Sequence, residues 1–468
     1  MDLTRRIFLS ASATAMVGSI LLPRNVQAAG YGLTAAPVTL PVVPGQPQTQ
    51  LWGYNGSFPG PMLRVRQGER LRVVLQNNLP QDSSIHWHGI RLPHAMDGVP
   101  GLTQPPVRPG ESFVYEFDCP DAGTYWYHPH WASAEQVGRG LYGLLIVDEH
   151  APPNVDRDVA WVLSDLRLNR QAQIQEDFGD AGDLTHGGRL GNTALLNGRL
   201  AERFALAPGE RIRLRLLNAA NARIFHLRFG GHRPWLVALD GHPVKPRRLE
   251  QDHLVSLGPG MRADLILDAA GEPGSSHTVF DVERGQAYRL LDLVYGPPAA
   301  RRAPRPDPAP LPPNPAAEPD LARATRLRLD LTGGAMSRLD NLKVDGRQMS
   351  LRDAFRQHRV AWALNGRAQT GHQHGHGHGD GPLFRLELGK SYSLEIVNDT
   401  AWPHPVHLHG HAFRVLDDPD RPLRDTVLLQ PRSRSEIAFV ADNPGEWMLH
   451  CHILEHQAAG MVATVQVG

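Results

Sequence analysis

Four short motifs set histidines two residues apart: His86-Trp87-His88, His128-Pro129-His130, His407-Leu408-His409 and His450-Cys451-His452. In an extended strand residues i and i+2 face the same way. Each motif therefore presents two imidazoles side by side and turns the residue between them to the opposite face. Imidazole is the commonest protein ligand for transition metals. One such pair reads as two ordinary strand histidines; four pairs at equivalent repeat positions read as a polynuclear metal site in a cleft between two copies of one unit.

Cys451 sits between two of those histidines and so faces away from them. On its side of the chain come His456 and Met461, and His404 precedes the third motif. A thiolate, two imidazoles and a weak axial thioether are the ligand set of a blue-copper electron-transfer centre. Zinc is the competing metal, but structural zinc sites prefer several thiolates, catalytic ones keep three ligands and a water, and neither uses a thioether. The covalent link from Cys451 to His450 and His452 would carry electrons between the two sites.

The elements that position these residues repeat. Asn55-Gly56, Gly68 and Asn77 recur as Asn197-Gly198, Gly209 and Asn218, and again as Asn365-Gly366, Gly389 and Asn398. Between the last two marks of each set lies an alternating strand with one apolar face, such as Arg70–Leu75, Arg211–Leu216 and Ser391–Ile396. This is one β-sandwich unit met three times. Pro109 to Gly123 and Pro431 to Gly445 also correspond, each glycine leading into a histidine motif. The middle copy has His226-Leu227-Arg228 and, where the others carry a second motif, Phe280-Asp281-Val282-Glu283. The expected units are 29–152, 153–298 and 326–468, with a Pro-rich, extended linker over 299–325.

With 468 residues there is room for several domains, and 46 Gly and 40 Pro with few helix-period stretches favour an all-β chain of short strands and turns. The 48 basic residues balance the 48 acidic ones, which gives no support to a nucleic-acid partner. Two cysteines allow at most one disulfide. Arg5-Arg6 before Phe8-Leu9, the small apolar run Ala11 to Leu22 and the ending Val26-Gln27-Ala28 read as a cleavable export signal over residues 1–28. It resembles a twin-arginine signal, which implies passage through the twin-arginine translocon and a periplasmic location. The apolar run is shorter than the ~20 residues of a membrane span, so the mature chain is expected to have no stable span.

The order and spacing of the motifs resemble the three-domain multicopper oxidases, the bacterial laccase and cuprous-oxidase family, over essentially the whole mature chain. The resemblance implies three cupredoxin-like Greek-key β-sandwich domains and four copper ions. Type 1 copper would be held by His404, Cys451, His456 and Met461, and type 2 copper by His86 and His407. The two type 3 coppers would take His88, His128 and His452 on one side and His130, His409 and His450 on the other. The implied chemistry is one-electron oxidation of a small donor, four times over, with dioxygen reduced to water. That reduction consumes protons, and Asp97 falls where bacterial members place a carboxylate to deliver them, although an aspartate before Gly98 is also an ordinary turn residue. Gln457 departs from relatives that carry a glutamate there, and Glu455, two residues earlier, is a substitute only if it points inward.

The third copy is longer than the others between Asn365 and Gly389, and the extra length holds His372, His374, His376 and His378 spaced mostly by glycine. Such a tract is a flexible accessory copper ligand or a solvated loop. Three functions follow: a laccase-like oxidase of phenols, aromatic amines or similar donors; a periplasmic cuprous oxidase for copper tolerance; or a non-enzymatic copper-binding or cell-division relative. Retention of every ligand position argues against the last. A methionine-rich insert of the kind seen in cuprous oxidases is absent.

Overall fold

The computed structural model describes residues 29–297, 305–370 and 381–468. The export signal, linker residues 299–304 and the histidines of the 372–378 tract lie outside the described residues. The described chain is mainly strand, as the turn-rich composition predicts, and forms three two-sheet sandwiches.

The repeated asparagines and glycines are the joints of these sandwiches. Asn55, Asn197 and Asn365 all adopt positive φ (53°, 50° and 49°), each followed by a positive-φ glycine, the geometry of a tight hairpin turn. Each asparagine then clamps the first strand of its own unit. Its Oδ1 accepts from Thr34, Val162 or Asp330 N–H, and its amide donates to the carbonyl of Gly32, Ala160 or Arg328. That first strand runs parallel to the strand ending at the later asparagine: Ala29–Leu40 with Arg70–Asn77, Arg157–Leu166 with Arg211–Asn218, and Thr325–Gly333 with Ser391–Asn398. Asn77, Asn218 and Asn398 are buried and each donates to two loop carbonyls, which fixes the loop leading to the next strand.

The strands after those loops are equivalent too. His86–His88 pairs antiparallel with Gly123–His128, Phe225–Phe229 with Ser276–Glu283, and His404–Leu408 with Gly445–Cys451. Trp87, Leu408 and Cys451, each between two of the histidines, sit in the apolar core. Trp87, for example, packs at 5.2–5.8 Å from the rings of Phe117, Tyr115 and Tyr127. The apolar cores of the first and third sandwiches merge into one cluster; the middle sandwich has a core of its own and shares a further apolar cluster with the first.

One alternating strand behaves differently from its pattern. Arg211, Arg213 and Arg215 read as a polar face beside an apolar one, yet all three are buried. The first sandwich covers that face, and Arg213 pairs with Glu149 and Asp264 at 2.7 and 2.6 Å. The described part of the linker is likewise packed: Leu311 is buried, and Asn314 bonds Ala122 of the first sandwich and His242 of the middle one. No described helix is long and apolar enough to cross a membrane.

Candidate metal centres

The strand pairings bring the histidine motifs to one seam. His128 lies across from His86, and His450 across from His407. His130, His409 and His452 lie just past their strand ends, and the alternation carries on through them. Rings from the two sandwiches stack against each other, His86 on His409 at 3.9 Å and His88 on His407 at 3.7 Å between centroids. Ligand atoms lie within 4.8 Å of one another in the sets His86, His88, His128; His86, His407, His409; and His130, His409, His450, all of them buried. His452 stands 4.9 Å from His88 and 5.3 Å from His128 between ring centroids.

Burial, reinforced by neighbouring imidazoles, holds His88, His128, His130, His407, His409 and His452 well below the ordinary imidazole range. These rings are therefore neutral and carry lone pairs. His86 Nε2, His88 Nδ1, His128 Nε2, His130 Nε2 and His407 Nε2 are buried without a hydrogen-bond partner. Each orphaned nitrogen costs about 1–3 kcal/mol if left so. A set of them converging is what a metal-binding seam requires, and the all-nitrogen donor set suits copper.

The opposite ring nitrogens are held, which selects the tautomer. His128 and His450 donate Nδ1–H to the carbonyls of Pro129 and Cys451. Asp97, buried after the 3-10 turn His94–Met96, takes His86 on its carbonyl at 2.9 Å and brings its carboxylate to His409 Nδ1 at 2.8 Å. Asp425 mirrors it, with His407 on its carbonyl at 2.7 Å and His88 Nε2 at 3.0 Å from its carboxylate. The Gln457 amide lies 3.5 Å from His130 Nδ1. Glu455 points elsewhere, to Asn221 of the middle sandwich at 2.9 Å.

Behind the seam Cys451 faces the other way, with Sγ 3.5 Å from His404 Nδ1 and 3.7 Å from His456 Nδ1; those two nitrogens are 3.1 Å apart. Burial pushes the Cys451 thiol up, and holds His404 well below its ordinary range and His456 down to about 3. Met461 is fully buried, and its backbone is bonded to both Cys451 and His456. The buried Thr400 hydroxyl holds His404 Nε2 at 2.8 Å, and His456 Nε2 donates to the His186 carbonyl of the middle sandwich at 2.7 Å. A soft thiolate with two neutral imidazoles fits copper. Both cysteines are free and buried, so the disulfide that two cysteines permit is not formed.

Asp425, Thr400 and His186 carry no signal in the sequence. They act through hydrogen bonds from a carboxylate, a hydroxyl or a backbone carbonyl, a role that fixes neither residue type nor spacing.

Residues 39–152, 158–280 and 344–468 each match a family described as multicopper oxidase. Multicopper oxidase MmcO of Mycobacterium tuberculosis is 30% identical over 448 residues, covering 89% of this chain and 83% of that protein. Copper resistance protein A of Escherichia coli is 26% identical over 583 residues, covering 96% and 94%. The crystal structure of a multi-copper oxidase from Pseudomonas thermotolerans superposes with a TM-score of 0.81 at 36% identity, covering 95% of this chain and 100% of that one.

Proposed function

The chain belongs to the multicopper oxidase family, copper-dependent oxidoreductases with dioxygen as acceptor, and from that premise we propose a laccase-like oxidase of phenolic or similar aromatic donors. In this reading it holds four coppers: type 1 on His404, Cys451, His456 and Met461; type 2 on His86 and His407; type 3 on His88, His128 and His452 and on His130, His409 and His450. When bound, these ions supply one-electron oxidation of the donor and four-electron reduction of dioxygen to water.

The protein's own part is to admit electrons, conduct them and bring protons. Cys451 conducts through its covalent bonds to His450 and His452. Asp97 brings protons, a role supported by its burial and its contact with His409. Gln457 stands beside His130 as an amide and can steady that ring, but it lacks a carboxyl proton.

The donor class rests on one observation, the cover over the buried type 1 histidines. His456 Nε2 is bonded to the carbonyl of His186, and the exposed His186 ring stands 5.4 Å from the half-buried Trp402. The two rings meet edge-on at 66° between planes and form a corner against which an aromatic ring can pack. The group on His404 is a hydroxyl, which offers no strong metal ligand. Cuprous-ion oxidation is the second reading, and Met336 favours it. This thioether is 70% exposed, and the preceding Ala335 N–H donates to Thr185, next to His186. In that reading His372, His374, His376 and His378 gather copper. Export through the twin-arginine translocon to the periplasm is supported by Arg5-Arg6 and the apolar run behind them.

Oxygen uptake by fully loaded protein separates the donors. Phenol turnover should exceed cuprous turnover, and Trp402→Ala should raise KM for the phenol about tenfold, the equivalent of 1.4 kcal/mol, while sparing the cuprous reaction. The reverse order, with Met336→Ala or removal of residues 372–379 lowering cuprous turnover, would establish the second reading.

A further inference from the structure

We propose that Arg262, from the middle sandwich that carries no copper ligand, is a positioning residue of the trinuclear site, acting through Asp425. The proposal rests on the assignment of the paired histidines to that site.

Arg262 is fully buried and all five of its N–H donors are used. Nε donates to Thr124 O of the first sandwich at 3.0 Å. Nη1 donates to Gly260 O at 3.0 Å and Asp425 Oδ1 at 2.8 Å, and Nη2 to Asp240 O at 3.0 Å and Asp425 Oδ2 at 2.5 Å. The guanidinium therefore grips the Asp425 carboxylate bidentately while its own plane is fixed by backbone carbonyls of two sandwiches. A fork with this geometry cannot be reproduced by a lysine.

Asp425 in turn sets two rings. Its Oδ1 lies 3.0 Å from His88 Nε2, so that ring offers Nδ1, and its carbonyl takes His407 Nδ1–H, so that ring offers Nε2. Both offered nitrogens are among the buried orphans. One aspartate thus orients a proposed type 3 ligand from the first sandwich and a proposed type 2 ligand from the third. Its own position is fixed from the second. Asp97 plays the matching part for His86 and His409 with no arginine on its carboxylate among the described contacts.

The close approach is built in. A Cβ on Gly89 would collide with both Arg262 Nη2 and Asp425 Oδ2, and one on Gly260 would lie 2.8 Å from His452 Cδ2 and 3.0 Å from His88 Cε1. The middle sandwich is therefore a wall of the site.

The test uses copper-loaded protein. Arg262→Lys should hold type 2 and type 3 copper about tenfold more weakly against a chelator than wild type, the lower end of the loss in affinity when the hydrogen-bond partner of a metal-bound histidine is disturbed. The blue type 1 band should stay. Because a lysine displaced from the buried carboxylates of Asp425 and Asp240 can impair folding, the pair Arg262→Met with Asp425→Asn, which removes one charge of each sign, is measured alongside and should show the same selective loss. Copper per chain, the type 2 paramagnetic signal and the near-ultraviolet band of the type 3 pair are the readouts. Wild-type retention in either variant, or equal loss of blue and trinuclear copper, would overturn the proposal. If wild-type protein itself held no trinuclear copper, the histidine assignment would have failed instead.

Discussion

In the proposed assignment Cys451 serves two sites because a strand alternates. His450 and His452 turn to the seam and the thiol turns to His404 and His456, so in that assignment an electron would have only a few covalent bonds to cross. The two sites should then fail separately. Cys451→Ser is expected to bleach the blue band while most trinuclear copper remains. His409→Ala should keep the blue band and stop oxygen uptake. Visible spectra, copper per chain and an oxygen electrode read both variants, and a blue Cys451→Ser protein would refute the type 1 assignment. These side chains are legible in a sequence because metal chemistry restricts the residue type and strand geometry restricts the spacing. Thr400, Asp425, Arg262 and His186 are not legible. A hydroxyl, a carboxylate, a guanidinium and a backbone carbonyl each do a job that other groups could do, and their partners are far away in the chain.

At the scale of strands and turns, the repeated Asn-Gly and Gly marks were legible because each meets a local backbone need. The turn asparagines accept positive φ and also clamp the neighbouring strand. Local patterning says nothing about what covers a polar face, which is why the buried Arg213 and Arg215 look like surface residues in the sequence. Gly98 shows how strictly a turn can fix a site. At φ 79° it packs so closely under the strand His86–His88 that a Cβ would collide with the Ile85 carbonyl, a backbone atom that cannot swing aside. Gly98→Ala combines a left-handed backbone with that clash and should cost more than about 2 kcal/mol. Denaturant unfolding of the copper-free protein measures it. Because His86 and Asp97 flank the displaced segment, type 2 copper should be lost before the blue colour.

Across the whole molecule, the first and third sandwiches share a core and the histidine seam lies between them, while the middle sandwich closes both sites, with Gly260 and Arg262 at the seam and His186 over His456. Which faces of three similar sandwiches meet is settled by these long-range contacts, so the stacking was not legible beyond the need for a cleft between the two histidine-bearing copies. Metal bound at such a seam is part of the tertiary structure. An ion that binds only the folded chain stabilises it by RT ln(1 + [L]/Kd), about 4 kcal/mol per site at free copper a thousandfold above Kd. Copper loading should therefore raise the melting temperature strongly. Most of the rise should disappear in His130→Ala, whose ring lies 4.9 Å from His409 and 5.2 Å from His450 of the other sandwich between centroids. Cys451→Ser should keep the larger share, since its site lies mainly within the third sandwich. Calorimetry of the three proteins with and without copper makes the comparison. An equal copper-dependent rise in His130→Ala and wild type would show that the metal does not staple the first sandwich to the third.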